Sequence, residues 1–253
     1  MEVGVFNYKK KIIGLITVRT SSTRLPNKCL LQFGESTVLN HIIRRAISYN
    51  IEPIVCTSNA QEDNIIVKIA SEEGVRCFRG SLNNKLQRWL DCAKHYKLDM
   101  FHTIDADDPF FDGNEMKESI KMLKEKNLDM VYPTESSHSG RASVGYSLTT
   151  DIVERACAGL DKDTDTEMMW YYIEKVPGLK ANVLSETCEN ISTMRLTLDY
   201  EEDYWLLCSI LRILGNLTDR QNVDKLFLAN PDMYKVNWFR EKEWKSRQLS
   251  KKI

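Results

Sequence analysis

Short apolar runs alternate with segments of helical period through the first half of the chain, and nothing else in it restricts the fold as much. Residues 12–18 form the first run. After a polar gap, Val38, Leu39, Ile42, Ile43, Ala46 and Ile47 fall at the i, i+3, i+4, i+7 spacing of a helix with one face in a core. Residues 54–56, opened by Pro53, read as a second strand. Ile65, Ile66, Ile69 and Ala70 line one face of a helix over 63–73 that Gly74 ends, and residues 75–78 make a third strand. Leu86, Trp89, Leu90 and Ala93 mark the next helix and 100–104 a fourth strand. Met116, Ile120 and Leu123 lie in a helix over 114–126, and 129–133 is a further strand. Strand and helix in repeated alternation build a parallel sheet with helices on its faces. The expected architecture is therefore α/β, a Rossmann-like three-layer α/β/α fold with a mostly parallel central sheet.

Past residue 134 the pattern loosens. Residues 144–148 regain strand character, and 151–158 and 165–175 read as helices. Leu196 and Leu198 read as a strand, Tyr200 onward as a helix with Leu206, Leu207, Ile210 and Leu214 inward, 223–229 as another helix, and 242–251 as a basic, frayed tail. A chain of 253 residues with 42% hydrophobic content can bury one sizeable core, so residues 1–253 are read as a single domain with 134–192 as an excursion.

Charge excludes one class of partner. Thirty-five Lys and Arg against thirty-six Asp and Glu give a net charge of -1, with no run of five like charges, which does not suggest a nucleic-acid groove. The first apolar run is too short to span a membrane. Seven scattered cysteines, never in a C-x-x-C arrangement, fit buried free thiols in a reducing compartment rather than a disulfide framework or zinc site, so the expected location is cytoplasmic.

The first strand leads into Val18-Arg19-Thr20-Ser21-Ser22-Thr23-Arg24-Leu25-Pro26-Asn27-Lys28-Cys29-Leu30. Three cations interleaved with hydroxyls are a suitable donor set for a polyanion such as a triphosphate, although a polar surface loop would also contain these residue types. No Walker-type or G-x-G-x-x-G loop occurs, so a phosphate grip here rests on side chains as well as backbone amides. A second feature is Asp105-Ala106-Asp107-Asp108-Pro109 at the end of the fourth strand. In an open α/β sheet that is where ligands bind, and a well-placed Asp suits Mg²⁺, although Asp and Pro also close ordinary turns. A third is Met194-Arg195-Leu196-Thr197-Leu198-Asp199-Tyr200-Glu201-Glu202-Asp203, whose last acids fit a helix N-terminus.

The string R-x-S-S-T-R-L-P-x-K-x-L resembles the N-terminal signature of cytidylyltransferases that activate acidic sugars, most closely the relatives of spore coat polysaccharide biosynthesis protein F and 3-deoxy-manno-octulosonate cytidylyltransferase. Residues 105–109 resemble the family's G-D-x-P element with Ala106 in place of Gly, and residues 195–203 its R-L-T-V-D-x-x-E-D element. The resemblance implies a nucleotide-diphospho-sugar transferase type of fold and a reaction of CTP with an acidic sugar or related acceptor, giving the CMP-sugar and pyrophosphate. It implies phosphate-handling roles for Arg19, Arg24 and Lys28, and Mg²⁺ on Asp107 and Asp199. Nucleotide contacts would come from Val18, Ser21, Ser22, Arg79, Gly80, Ser81, Arg88 and Asp105. Asn84 and Lys85 replace the family's acidic pair ahead of Arg88. In the loop 135–143, where Ala142 and Val144 replace a Gly and an Asp, His138 and Arg141 are candidates for gripping an anionic acceptor, with plain loop surface the alternative. The aromatic stretch within 165–175 fits a homodimer interface as well as core packing. Two other readings share parts of the pattern. Asp105-Ala106-Asp107 satisfies the D-x-D of a nucleotide-sugar-dependent glycosyltransferase, and the acceptor-side departures suit a non-catalytic nucleotide-binding scaffold.

Overall fold

Strand β1 (Ile12–Thr17) is hydrogen-bonded along both edges and carries the rest of the sheet. The computed structural model describes residues 11–138, 144–161, 163–186 and 193–250, with the side chains of 247–250 excepted. After β1 come a two-stranded hairpin, β2 (Gln32–Phe33) with β3 (Ser36–Thr37), then α1 (Val38–Ser48), β4 (Ile51–Ser58), α2 (Asn64–Glu72), β5 (Arg76–Gly80), α3 (Lys85–His95) and β6 (Met100–Asp105). The second half runs α4 (Gly113–Glu125), β7 (Met130–Tyr132), β8 (Ser147–Thr149), α5 (Thr150–Cys157), α6 (Met169–Ile173), β9 (Ala181–Val183), α7 (Glu201–Leu214), α8 (Arg220–Ala229) and α9 (Phe239–Ser250).

Among the described residues seven strands form one sheet in the order β5-β4-β1-β6-β8-β7-β9. Strands β5, β4, β1 and β6 are parallel; β8 runs antiparallel to both β6 and β7, and β9 is parallel to β7. Pro53 is tolerated inside β4 because pairing with β5 begins only at Ile54, so its missing N–H faces no neighbour there. Adjacent residues of β1 split between two cores. Ile16 packs with residues of α1, α2, α7 and α8 on one face, and Leu15 with α3, α5 and α6 on the other. The mostly parallel three-layer α/β/α expectation holds.

Three local expectations change, and β9 has no counterpart among them. Residues 193–199 are extended but form no ladder strand; the Leu198 amide instead donates to the Asp107 carbonyl at 2.7 Å. The apolar alternation there reports burial of Met194, Leu196 and Leu198 in the core, not sheet pairing. Strand β9 carries no apolar signal because all three of its residues are exposed. The expected helix over 165–175 narrows to α6, since Thr166 is held instead by Asn83, Asn84 and Leu86 at the start of α3. The expected frayed tail is helix α9, anchored where Glu241 is buried against Arg195.

The chain leaves β1 toward β4 and β5, then crosses back to place β6 on the other side of β1. The carboxyl ends of β1 and β6 therefore flank a topological switch point, where open α/β sheets form their ligand crevice. Both acidic and basic motifs of the first half sit there.

Candidate active site

The loop after β1 is fixed from below. Thr20 donates to Asp63 Oδ1 through both its amide and its hydroxyl, each at 2.8 Å, and the other Asp63 oxygen accepts from Thr57 Oγ1, the Ser58 amide and Ser58 Oγ. Burial alone would raise the Asp63 carboxyl; these hydrogen bonds outweigh it and hold it below its usual value. With Thr20 tied down, Ser21, Ser22 and Thr23 turn into a cleft of about 490 Å³, within the range of ligand pockets. Asn27 takes a left-handed conformation (φ 55°) that starts the short turn Lys28–Leu30 and brings Lys28 back over the sheet.

At the cleft floor Lys28 Nζ lies 2.5 Å from Asp107 Oδ2 and 2.9 Å from Asp199 Oδ1, while Arg24 Nη2 donates to the same Asp199 oxygen at 2.5 Å. Three motifs up to 175 residues apart meet here. Burial by itself would lower the Lys28 ammonium, but the two carboxylates overcome it and hold it above its ordinary range. Burial would likewise raise Asp199; Lys28 and Arg24 prevail and keep it ionised far into acid. Asp107 is shifted upward, first by burial and then by its acidic neighbours, against the pull of Lys28. Asp108 behaves differently. It is buried, is pushed well above its usual value by burial and by Asp107, and accepts from Thr197 Oγ1 at 2.6 Å, which ties the end of β6 to the segment that carries Asp199.

One cationic nitrogen touching both Asp107 and Asp199 shows that their oxygens converge on a single point. Among the described residues no group of three or more His, Cys, Asp or Glu is placed to hold an ion. Two carboxylates with the remaining positions left to phosphate oxygens and water are the donor set Mg²⁺ prefers, so the residues fit such an ion. Arg24 Nε is buried with no hydrogen-bond partner among the described residues, a donor available to an incoming anion.

The remaining expected residues divide. Val18 and Asp105 line the cleft, and Asp105 is paired at 3.0 Å with Lys85, which sequence reading noticed only as a substitution in the motif. Asn84 proves to be the cap of α3, accepting from the Gln87 amide and from Thr166 Oγ1. Arg19 lines the cleft but spends its guanidinium on the Leu82 carbonyl (3.0 Å) and Glu167 (2.9 Å). Arg88 also lines it while donating to the Ser81 and Leu82 carbonyls. Arg79, Gly80 and Ser81 do not line the cleft. Arg79 bonds the Ser58 and Ala60 carbonyls and Asn64, and a Cβ on Gly80 would press on Arg88, so the glycine serves close packing of β5 against α3.

On the other wall stand His138, Tyr146, Met168, Met169 and Trp170. His138 Nε2 lies 3.5 Å from the Tyr146 hydroxyl, and burial lowers its pKa toward the neutral form. Arg141 lies outside the described residues. The aromatic stretch splits three ways: Met169 and Ile173 enter the core, Trp170 the cleft, and Tyr171 the surface under Lys175. From the far end of the chain, Trp244 of α9 reaches the cleft too, with no sequence signal to announce it.

A family profile described as cytidylyltransferase matches residues 13–174. An uncharacterized protein of Methanocaldococcus jannaschii is 31% identical over 233 residues, covering 90% of this chain and 94% of the relative. The spore coat polysaccharide biosynthesis protein SpsF of Bacillus subtilis is 25% identical over 228 residues, 87% of this chain and 94% of its own length. A solved cytidylyltransferase structure from Leptospira borgpetersenii shares the fold, with a TM-score of 0.77 at 24% identity over 88% of this chain and 96% of that one. No helix among the described residues is long and apolar enough to cross a membrane. With the profile spanning most of the chain and the fold and charged motifs arranged as above, this chain belongs to the cytidylyltransferase family of nucleotidyltransferases.

Proposed function

We propose that this enzyme transfers CMP from CTP to an acidic sugar or related acceptor in a Mg²⁺-dependent reaction that releases pyrophosphate, and that it serves surface polysaccharide or glycoconjugate synthesis as a cytoplasmic homodimer. The observation that carries the reading is the pairing of Lys28 and Arg24 with Asp107 and Asp199 at the floor of the β1–β6 crevice. Opposite charges of that number in one place match a substrate that brings both a polyanion and a cation. A triphosphate would replace the carboxylates as acceptor for Lys28 and Arg24, and the freed carboxylates of Asp107 and Asp199 would hold the ion. When bound, the metal supplies positive charge against the phosphate oxygens and helps orient the reacting groups.

In the transfer, an acceptor oxygen forms a bond to the α-phosphorus as the bond to pyrophosphate breaks, and the acceptor's proton is released. Charge accumulates on the leaving group, so catalysis is chiefly positioning and neutralisation. Lys28 and Arg24, held charged by their surroundings, are the groups to neutralise it. The His138 and Tyr146 wall, next to Trp170, is the acceptor side in this reading.

The test is a calorimetric panel of CTP, UTP, GTP and ATP with Mg²⁺ on the unaltered protein, Arg24→Ala and Asp107→Asn. Binding of CTP above the others, weakened in both variants, is expected. Once an acceptor is found, Arg24→Ala should lower turnover by about a hundredfold, or on the order of 3 kcal/mol, as for other single electrostatic donors. Binding of UDP- or GDP-sugars without any free triphosphate would overturn the proposal in favour of a glycosyltransferase.

A further inference from the structure

The two oxygens of Asp199 have different duties. Oδ1 faces the cleft, where Arg24 and Lys28 meet it; Oδ2 is turned away and accepts from Arg195 Nη2 at 3.1 Å. Arg195 is fully buried and uses its other nitrogens on Asp203 (Nε, 3.0 Å) and Glu241 (Nη1, 3.0 Å). Asp203 also accepts from the Asp199 and Tyr200 amides at 2.9 and 3.0 Å, which fixes the backbone that delivers Asp199. Asn237 closes the frame, donating to the Arg195 carbonyl at 2.8 Å and to Asp203 Oδ1 at 2.9 Å.

One guanidinium thus stands among three carboxylates in a site without solvent. Such a cluster is stable only if each hydrogen bond is kept, and it fixes orientation more than it adds stability. Two of its members, Asn237 and Glu241, come from the C-terminal segment, 34 residues or more beyond Asp203.

We infer that Asn237 and Glu241 are positioning residues for the metal: through Arg195 and Asp203 the C-terminal segment that leads into α9 sets the rotamer of Asp199. This rests on the proposed role of Asp199 as a metal-binding carboxylate. Loss of the Glu241 charge acts twice in one direction. Arg195 Nη1 loses its partner, so the guanidinium that steers Asp199 is less constrained, and the negative potential that draws a cation to the floor of the cleft falls. Partners behind a metal ligand commonly change metal affinity by ten- to a hundredfold.

The experiment titrates Mn²⁺ by electron paramagnetic resonance, with and without CTP, into the unaltered protein, Glu241→Gln, Asn237→Ala and Asp199→Asn, with melting temperatures alongside. Glu241→Gln is expected to weaken Mn²⁺ in the presence of CTP by about tenfold, to leave CTP binding without metal unchanged, and Asn237→Ala to weaken the metal by less. A purely structural role would lower the melting temperature with the Mn²⁺ constant unmoved. If Asp199→Asn weakens the metal and Glu241→Gln does not, the positioning role is overturned while the active-site reading stands. If Asp199→Asn leaves Mn²⁺ unchanged, Asp199 is no ligand and both fall. Should Glu241→Gln fail to fold, Glu241→Asp, which keeps the charge and shortens the reach, is read by the same criterion with a smaller loss expected.

Discussion

Asp63 never enters the cleft, yet it accepts five hydrogen bonds, two of them from Thr20 in the loop after β1. Replacing it by Asn puts an N–H where only acceptors are wanted. Asp63→Asn should destabilise the fold by about 2 kcal/mol, the scale of a lost hydrogen bond to a buried charge, and weaken CTP binding because the loop loses its tie to the floor. Urea unfolding and calorimetry on the same preparation check both effects; a stable variant with unchanged CTP affinity would show that the loop holds itself. Sequence reading could see the residues that act at the end of a chain of contacts but not those that support them. Arg24, Lys28, Asp107 and Asp199 are legible because three ordered motifs name them. Asp63 looks like any acid at a helix start, and nothing local announces a partner 43 residues away. Lys85 is the converse case: it registers as a departure from the motif, while the structure pairs it with Asp105 inside the cleft.

At the scale of elements, the segment 163–168 joins the start of α3 to the loop after β1. Thr166 Oγ1 donates to Asn84 Oδ1 and accepts from the Leu86 amide, and Glu167 pairs with Arg19. The first two contacts are buried and fasten the segment to the start of α3. The third is about one-third exposed on both sides, and ion pairs of that kind contribute only about 0–1 kcal/mol to stability. Glu167→Gln should therefore hardly move the unfolding midpoint. It should tighten CTP binding, because Arg19 no longer has to leave a carboxylate to meet a triphosphate, and the gain should shrink at high salt. Weaker binding would show instead that Arg19 works only as half of a strap across the cleft. Helix periodicity anticipated α1 through α4 because each buries one stripe on the sheet. It overextended α6, since Met169 and Ile173 are apolar for the core, Trp170 for the cleft and Tyr171 for the surface, and only part of the run packs as a helix face.

The whole sheet depends on how its parallel and antiparallel halves are joined, and His102 sits at that joint. Strand β6 meets β8 there, and the imidazole is fully buried between Ser147 Oγ, 2.8 Å from Nδ1, and the Val144 carbonyl, 2.5 Å from Nε2. A carbonyl can only accept, so Nε2 carries the proton. Ser119 Oγ donates to Ser147 Oγ at 2.7 Å, which leaves the Ser147 hydroxyl proton for Nδ1 and completes a chain that needs the neutral ring. Burial lowers the His102 pKa to about 4, with the bond to Val144 opposing. In the unfolded chain the ring titrates near 6.5, so between those values the unfolded state binds the extra proton. The ring's contribution to stability is therefore complete above about pH 6.5 and is lost as the pH falls toward 4, by on the order of 3 kcal/mol in full. Buried carboxyls raised above their usual range, Asp108 and Glu115 among them, act in the opposite sense over part of that window. Total acid stability thus mixes both signs, and the informative quantity is a difference. The stability gap between the unaltered protein and His102→Gln, measured by urea unfolding from pH 7.5 to 4.5, should be widest near neutrality and narrow steadily on acidification. A gap that stays constant across the range would mean that the ring titrates in the fold as it does in the unfolded chain, and a gap that widens on acidification that the ring is protonated in the fold and the serine chain runs the other way.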